Sequence, residues 1–138
     1  MLISSAVICL ALNIYSESRS ESVIGQYAVA QVTLNRAREK NEKVCDVVSK
    51  PYQFSWAVNT FYKKGGSYLL TEEGRPKDKL AWAVAKAIAE VALKDNIIDF
   101  SKGATFYHTK AVSPFWKRDL KLVAVIGSHK FYASKRKS

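Results

Sequence analysis

Two cysteines and two histidines are the chain's whole supply of soft metal ligands, and no CxxC, HExxH or paired-ligand spacing surrounds them. That argues against a zinc centre or a dithiol redox site, so neither a metal nor a cofactor is expected. Two cysteines also do not make a disulfide framework. Cys9 falls inside an apolar helical pattern and reads as a buried thiol, with pairing to Cys45 as the alternative. No GxSxG is present, which removes a common serine-hydrolase signature. No Lys or Arg precedes the apolar stretch near the N-terminus, the first basic residue being Arg19, so no signal peptide is legible. At about a dozen residues that stretch is also too short to span a bilayer. Repeats and low-complexity segments are absent as well.

What is present suits a globular chain. The 138 residues are 48% apolar and 25% charged, near ordinary averages and far from a disordered composition. That length can bury a core without staples, so residues 1–138 are expected to form a single domain ending in a basic tail over about 133–138. Acids are scarce, 12 against 22 Lys and Arg, and the resulting +10 is uneven. Residues 110–138 hold eight Lys/Arg against one Asp, whereas the first 109 hold fourteen against eleven acids. A basic C-terminal end suits an anionic partner such as nucleic acid, lipid head groups or an acidic polymer.

Apolar positions Ile3, Val7, Leu10 and Ile14 step by four, three and four, the spacing of one helical face. The next two steps land on Glu17 and Glu21, so both acids extend the apolar stripe. The pattern predicts a second helix over about Ser22–Glu39 with Ser22 as its cap, and a third over Asp78–Lys94 with Trp82 facing inward. A loop-rich stretch separates them, carrying Pro51, Gly65-Gly66 and the interleaved Gln53-Phe54-Ser55-Trp56. Beyond Asp99, Gly103–His108 and Ile126–Tyr132 read as strand or extended loop. The fold class is therefore α+β, mainly helical, with a small strand and loop region.

On one helix, residues four apart have Cβ atoms about 5–6 Å apart. Like charges at that separation raise one another's pKa, and partial burial adds in the same direction, while Arg19 offsets it for whichever acid it reaches. A glutamate raised toward neutrality is what a general acid in glycosidic cleavage requires. Ordinary glycosidases set two carboxyls across the scissile bond. Two acids on one helical face cannot straddle a sugar, and Asp46, Asp78 and Glu90 look like caps or helix surface. A single-carboxylate mechanism follows if Glu17 is catalytic. The aromatic loops, interleaved with amides and hydroxyls, suit sugar faces and would equally suit single-stranded nucleic acid. An enzyme and a basic binding module thus both remain open on the residues alone.

The stretch CLALNIYSESRSESVIGQYAVAQVTLNR closely resembles the opening of the SleB/CwlJ-type cell wall hydrolases through Tyr15, Glu17, Arg19, Glu21, Gly25-Gln26, Ala28-Val29-Ala30 and Asn35-Arg36. The order continues through Val44–Val48, Gln53–Trp56, Gly103–His108, Pro114-Phe115-Trp116 and Ile126–Tyr132. The resemblance implies a compact lysozyme-like domain acting on peptidoglycan glycan strands by lytic transglycosylase chemistry, with a 1,6-anhydro product. Lysozyme-type hydrolysis at the same site is the alternative, and a non-enzymatic nucleic-acid- or wall-binding module the rival class. It implies Glu17 as the catalytic residue, with Glu21 and Arg19 holding or tuning it. Gln53, Ser55, Tyr107, His108 and Tyr132 are proposed for substrate contacts. Ser18 and Ser20 stand where the family usually has Ala and Gly. The bare domain looks like a phage endolysin, a monomer without a nucleic-acid partner. It would be made in a host cytoplasm and act in the periplasm, where its basic end meets anionic lipopolysaccharide.

Overall fold

Ser5 decides where the first helix begins. Its hydroxyl accepts from the Val7 N–H at 3.1 Å, its own backbone is extended, and Leu2-Ile3 ahead of it form a strand. Ile3 therefore lies in a short strand, which corrects its place at the head of the helical stripe. The computed structural model describes residues 2–3, 5–50, 56–57, 60–65, 67–94, 97–112 and 114–135. In chain order the elements are β1 (Leu2–Ile3), α1 (Ala6–Ser18), α2 (Val23–Lys40), α3 (Val44–Ser49), β2 (Phe61–Lys64), β3 (Ser67–Leu70), α4 (Lys79–Lys94), β4 (Phe106–Thr109), a 3-10 turn (Phe115–Asp119), β5 (Leu120–Ile126) and β6 (His129–Ser134). Helices and two small antiparallel sheets make this an α+β fold. β6 takes in Ala133 and Ser134, so the basic tail starts later than expected, at Lys135, and residues 136–138 lie outside the described ones.

Helix α1 is the centre of the molecule. Seven consecutive residues, Cys9 to Tyr15, are buried, so it is enclosed on all sides, packing against α4, α2 and α3. Helix α2 starts as its sequence predicts, with the Ser22 hydroxyl accepting from Gly25 N at 3.1 Å, and ends where Asn41 turns left-handed at φ 53°. It divides two cores. Ala30 and Ala37 join the cluster around α1, while Ala28, Val29 and Val32 pack with Ala104 and Phe131 beneath the second sheet. Helix α4 is likewise close to expectation, Asp78 capping Ala81 N at 3.0 Å and Trp82 meeting Tyr15 edge-on at 6.1 Å.

The sheets run β1-β3-β2 and β4-β6-β5. In the second, Tyr107 lies opposite Phe131 and His108 opposite Lys130, which sends Tyr107, His129 and Phe131 to the face that covers α2. Tyr107 packs against both cores.

Helix α3 had no counterpart in the sequence reading, and it brings Cys45 under α1. Cys9 and Cys45 form a disulfide with Cα atoms 5.3 Å apart, which overturns the reading of Cys9 as a free buried thiol. The bond closes a separation of 36 residues, a constraint on the unfolded chain of about 4 kcal/mol in the chain-entropy account. Reduction, or Cys9→Ala with Cys45→Ala, is expected to lower the unfolding free energy by about 2–4 kcal/mol in paired urea titrations of oxidised and altered protein.

Candidate active site

Helix α1 does not carry both glutamates. It stops at Ser18, whose hydroxyl bonds back to Ile14 O at 2.8 Å, and Glu21 sits in the bend before α2, its N–H on Ser18 O at 2.9 Å. The i,i+4 geometry expected for Glu17 and Glu21 is therefore not realised, because serines on either side favour a helix end and a new cap. The two carboxylates part company.

Glu17 turns inward. Burial raises its pKa above the ordinary 4.5, opposed by the field of Arg36 and by the nearby Trp56 indole. Arg36 is 8% exposed and donates from Nε to Thr105 O, at the head of β4, with its guanidinium 4.9 Å from the centre of the Phe106 ring. Burial lowers its pKa, while Tyr107 and Glu17 push it back up. Tyr107 completes the group. Burial first, and then the charge of Glu17, hold its phenol well above 10, whereas Asn13 and Arg36 act the other way. It is thus a neutral hydroxyl beside the carboxyl at any working pH.

Spacing within each helix explains why these groups meet. Asn13 and Glu17 are four apart on α1, and Thr33 and Arg36 three apart on α2, so each pair shares a face. Between the helices the Thr33 hydroxyl donates to Asn13 Oδ1 at 2.8 Å, both residues being wholly buried. Asn13 in turn lies near enough to the Tyr107 phenol to lower its pKa. Next to Arg36, Asn35 donates to Asp99 Oδ2 at 3.0 Å and to Ala104 O at 2.9 Å, and Asp99 also accepts from Ser101 and Gly103 N. The Asn35-Arg36 pair therefore fixes the loop and strand that deliver Tyr107.

Glu21 performs a different task. Its Oε1 accepts from Ser128 N at 2.9 Å and lies 4.0 Å from His129 Nδ1, so it ties the β5–β6 turn to the α1–α2 bend. Gly127 in that turn has φ +56°, and a Cβ there would run into the Glu21 carboxylate. Burial lowers the His129 pKa, the Glu21 charge raises it and His108 lowers it again. Glu21→Ala removes the acceptor of the exposed Ser128 N–H and should cost about 0.5–1.5 kcal/mol in thermal or urea unfolding, with Glu21→Gln losing less.

Arg19 meets neither carboxylate. Its guanidinium lies 4.7 Å over the Tyr15 ring, and the arginine whose field reaches Glu17 is Arg36. His108 and Tyr132, expected at the substrate, are 7% and 5% exposed and stack on each other, with Nε2 and the phenol oxygen 2.9 Å apart. Strand alternation places them together in a buried layer. Gln53 and Ser55 lie outside the described residues. Of the expected residues, then, the structure brings Glu17 and Tyr107 together, and it adds Arg36, Asn13 and Trp56. Among the described residues no three His, Cys, Asp or Glu side chains converge as a metal site would need.

The cell wall hydrolase family matches residues 20–132. Among solved structures, the catalytic domain of the germination-specific lytic transglycosylase SleB from Bacillus anthracis is similar with a TM-score of 0.68 and 27% identity, over 95% of this chain and 97% of that one. The catalytic domain of the Bacillus cereus SleB protein gives 0.66 and 28%, over 94% and 91%. No curated protein matches the sequence significantly.

Proposed function

The chain belongs to the cell wall hydrolase family and degrades peptidoglycan, and from that premise we propose that it cleaves the N-acetylmuramic acid–N-acetylglucosamine bond as a lytic transglycosylase with Glu17 as its one catalytic carboxylate. The observation that carries this reading is the isolation of Glu17. Its carboxyl is kept toward the protonated form by burial, and the charged group acting on it is an arginine, not a second acid. Glu21, the obvious candidate for a partner, is committed to Ser128. A two-carboxylate mechanism needs a second acid across the sugar.

In the proposed sequence the protonated Glu17 gives its proton to the glycosidic oxygen as the bond to the muramic acid C1 breaks. The N-acetylglucosamine hydroxyl departs. The resulting carboxylate then takes the proton of the muramic acid 6-hydroxyl as that oxygen bonds to C1, closing the 1,6-anhydro ring and restoring the acid. Tyr107 and the Trp56 indole stand near the carboxyl. Mass spectrometry of the released muropeptides tests the assignment. Anhydro ends are expected, and reducing ends throughout would mean that water is the acceptor.

The site of action we place outside the cytoplasm, as for an endolysin released to the periplasm. The Cys9–Cys45 disulfide supports an oxidising compartment, since such bonds persist there and not among cytosolic thiols. The +7 balance of residues 110–138 supports an encounter with anionic lipopolysaccharide. Lysis of outer-membrane-bearing cells should then weaken steeply as salt rises, and neutralising Lys117, Arg118 and Lys121 should flatten that dependence.

A further inference from the structure

A cavity of about 280 Å³ opens beside the end of α1, on the side of the helix that carries Tyr15 and Arg19. Its opposite wall is the loop from Thr71 to Lys77. That wall is firmly built. Thr71 donates to Thr60 O from both its N–H, at 2.9 Å, and its hydroxyl, at 3.0 Å, and Gly74 N donates to Thr71 Oγ1 at 2.9 Å. Gly74 lies so close to Thr60 that a Cβ would collide with its backbone. Tyr15 joins the walls, its hydroxyl accepting from Lys77 N at 3.1 Å and Asp78 N at 3.0 Å. Trp56 separates the cavity from the catalytic carboxyl, since the Thr60 hydroxyl on the cavity wall donates to Trp56 O at 2.7 Å and the Trp56 indole lies near Glu17.

The lining is cationic, with Arg19, Arg75 and Lys77 against Glu73. Arg75 has Glu72 at 3.4 Å, but among the described residues no carboxylate forms an ion pair with Arg19 or Lys77. Stacking on Tyr15 fixes the plane of the Arg19 guanidinium and leaves its N–H edge to meet a planar anion. Two exposed cations without protein counter-ions, on one cavity one residue layer from the catalytic carboxyl, suit an acidic part of the substrate. The N-acetylated sugars are neutral once the lactyl group is amidated, so the acid must come from the attached peptide.

We propose that this cavity is a subsite for a carboxylate of the peptide stem, gripped by Arg19 and Lys77, so that the enzyme distinguishes peptide-bearing from bare glycan. The inference rests on the glycan-cleaving reading above. Its test compares kcat/KM on whole peptidoglycan with that on amidase-stripped strands, which keep only a free lactyl carboxylate. In the doubly neutralised Arg19→Gln, Lys77→Gln protein the ratio of the two should fall about tenfold, through KM, as loss of a charge-assisted hydrogen bond implies, with Arg19→Lys keeping the charge but recovering only part of it. An unchanged ratio, or an equal loss on both substrates, overturns the subsite. A measurement independent of turnover is titration of the wild-type chain with a soluble acidic stem tripeptide, followed by NMR. Shifts at Arg19, Gly74 and Lys77 are expected, and their absence at millimolar peptide refutes the site. If neither substrate is cleaved while the peptide still shifts these signals, the glycan-cleaving reading fails and the carboxylate site stands.

Discussion

Glu17→Gln is expected to abolish wall degradation, by about a thousandfold or more in kcat/KM, without unfolding the protein. General acid–base catalysis contributes about 10²–10⁴, and here one carboxyl serves as acid and then as base. The amide keeps the shape but has no proton to give. Stability should move the other way. Burial sets the folded pKa of Glu17 above its unfolded value, so its favourable contribution is present below the unfolded pKa and is lost as pH rises through the folded one. At neutral pH the wild type therefore holds a penalised carboxylate that glutamine does not. The variant should match or exceed the wild-type Tm at pH 7, and the difference should shrink toward pH 4. The same shift predicts that wild-type activity declines as pH rises through a pKa above 4.5. Clearing of purified sacculi by Glu17→Gln at the normal rate would remove the residue from the mechanism.

How far the site was legible depends on which physical signal each residue left in the sequence. Glu17 was legible because it prolongs an apolar stripe, where a carboxylate is costly to hold and so asks for a reason. Arg36 and Asn13 left no such mark. A polar residue in a helix reads as surface until a partner from elsewhere in the chain claims it, and the partners here, Thr105 and Tyr107, lie some seventy to ninety residues further on. The burial of His108 and Tyr132 was hidden for a related reason. Alternation tells that two strand faces differ, but not that both are covered, and each of these rings is buried in the layer away from α2.

The fold shows the same division. Helices α2 and α4 are long, capped by Ser22 and Asp78, and visible in the pattern. Short elements were not. Helix α3 has six residues and no side-chain cap, and β2 and β3 have four each around Gly65, too brief for period or propensity to outweigh the turn signals between them. The Cys9–Cys45 bond follows from α3, so missing that helix hid the pairing as well. Glu21 is the sharpest case. It keeps the helical phase of Glu17 on paper, and the serines at 18, 20 and 22 end the helix before that phase applies.

Arg36→Met should produce the largest loss of stability at the site and change the pH profile with it. The guanidinium has two separable duties. Its Nε–H satisfies Thr105 O, where β4 begins, and its charge opposes the burial that raises the Glu17 pKa. Methionine fills the space but supplies neither. A buried carbonyl left without a donor and a buried carboxyl left without its cation together imply a loss of about 2–4 kcal/mol in urea unfolding at pH 7. With burial then less opposed, the Glu17 pKa rises further, so the alkaline fall in activity should move to higher pH even as the maximum rate drops. Arg36→Lys separates the two effects. It returns a charge near Glu17 but not the fork that reaches Thr105, so the pH limb should move back toward the wild-type position while most of the stability loss remains. If Arg36→Met leaves the pH limb in place, the field of Arg36 does not set the protonation of Glu17, and burial with the nearby Trp56 indole must do so alone.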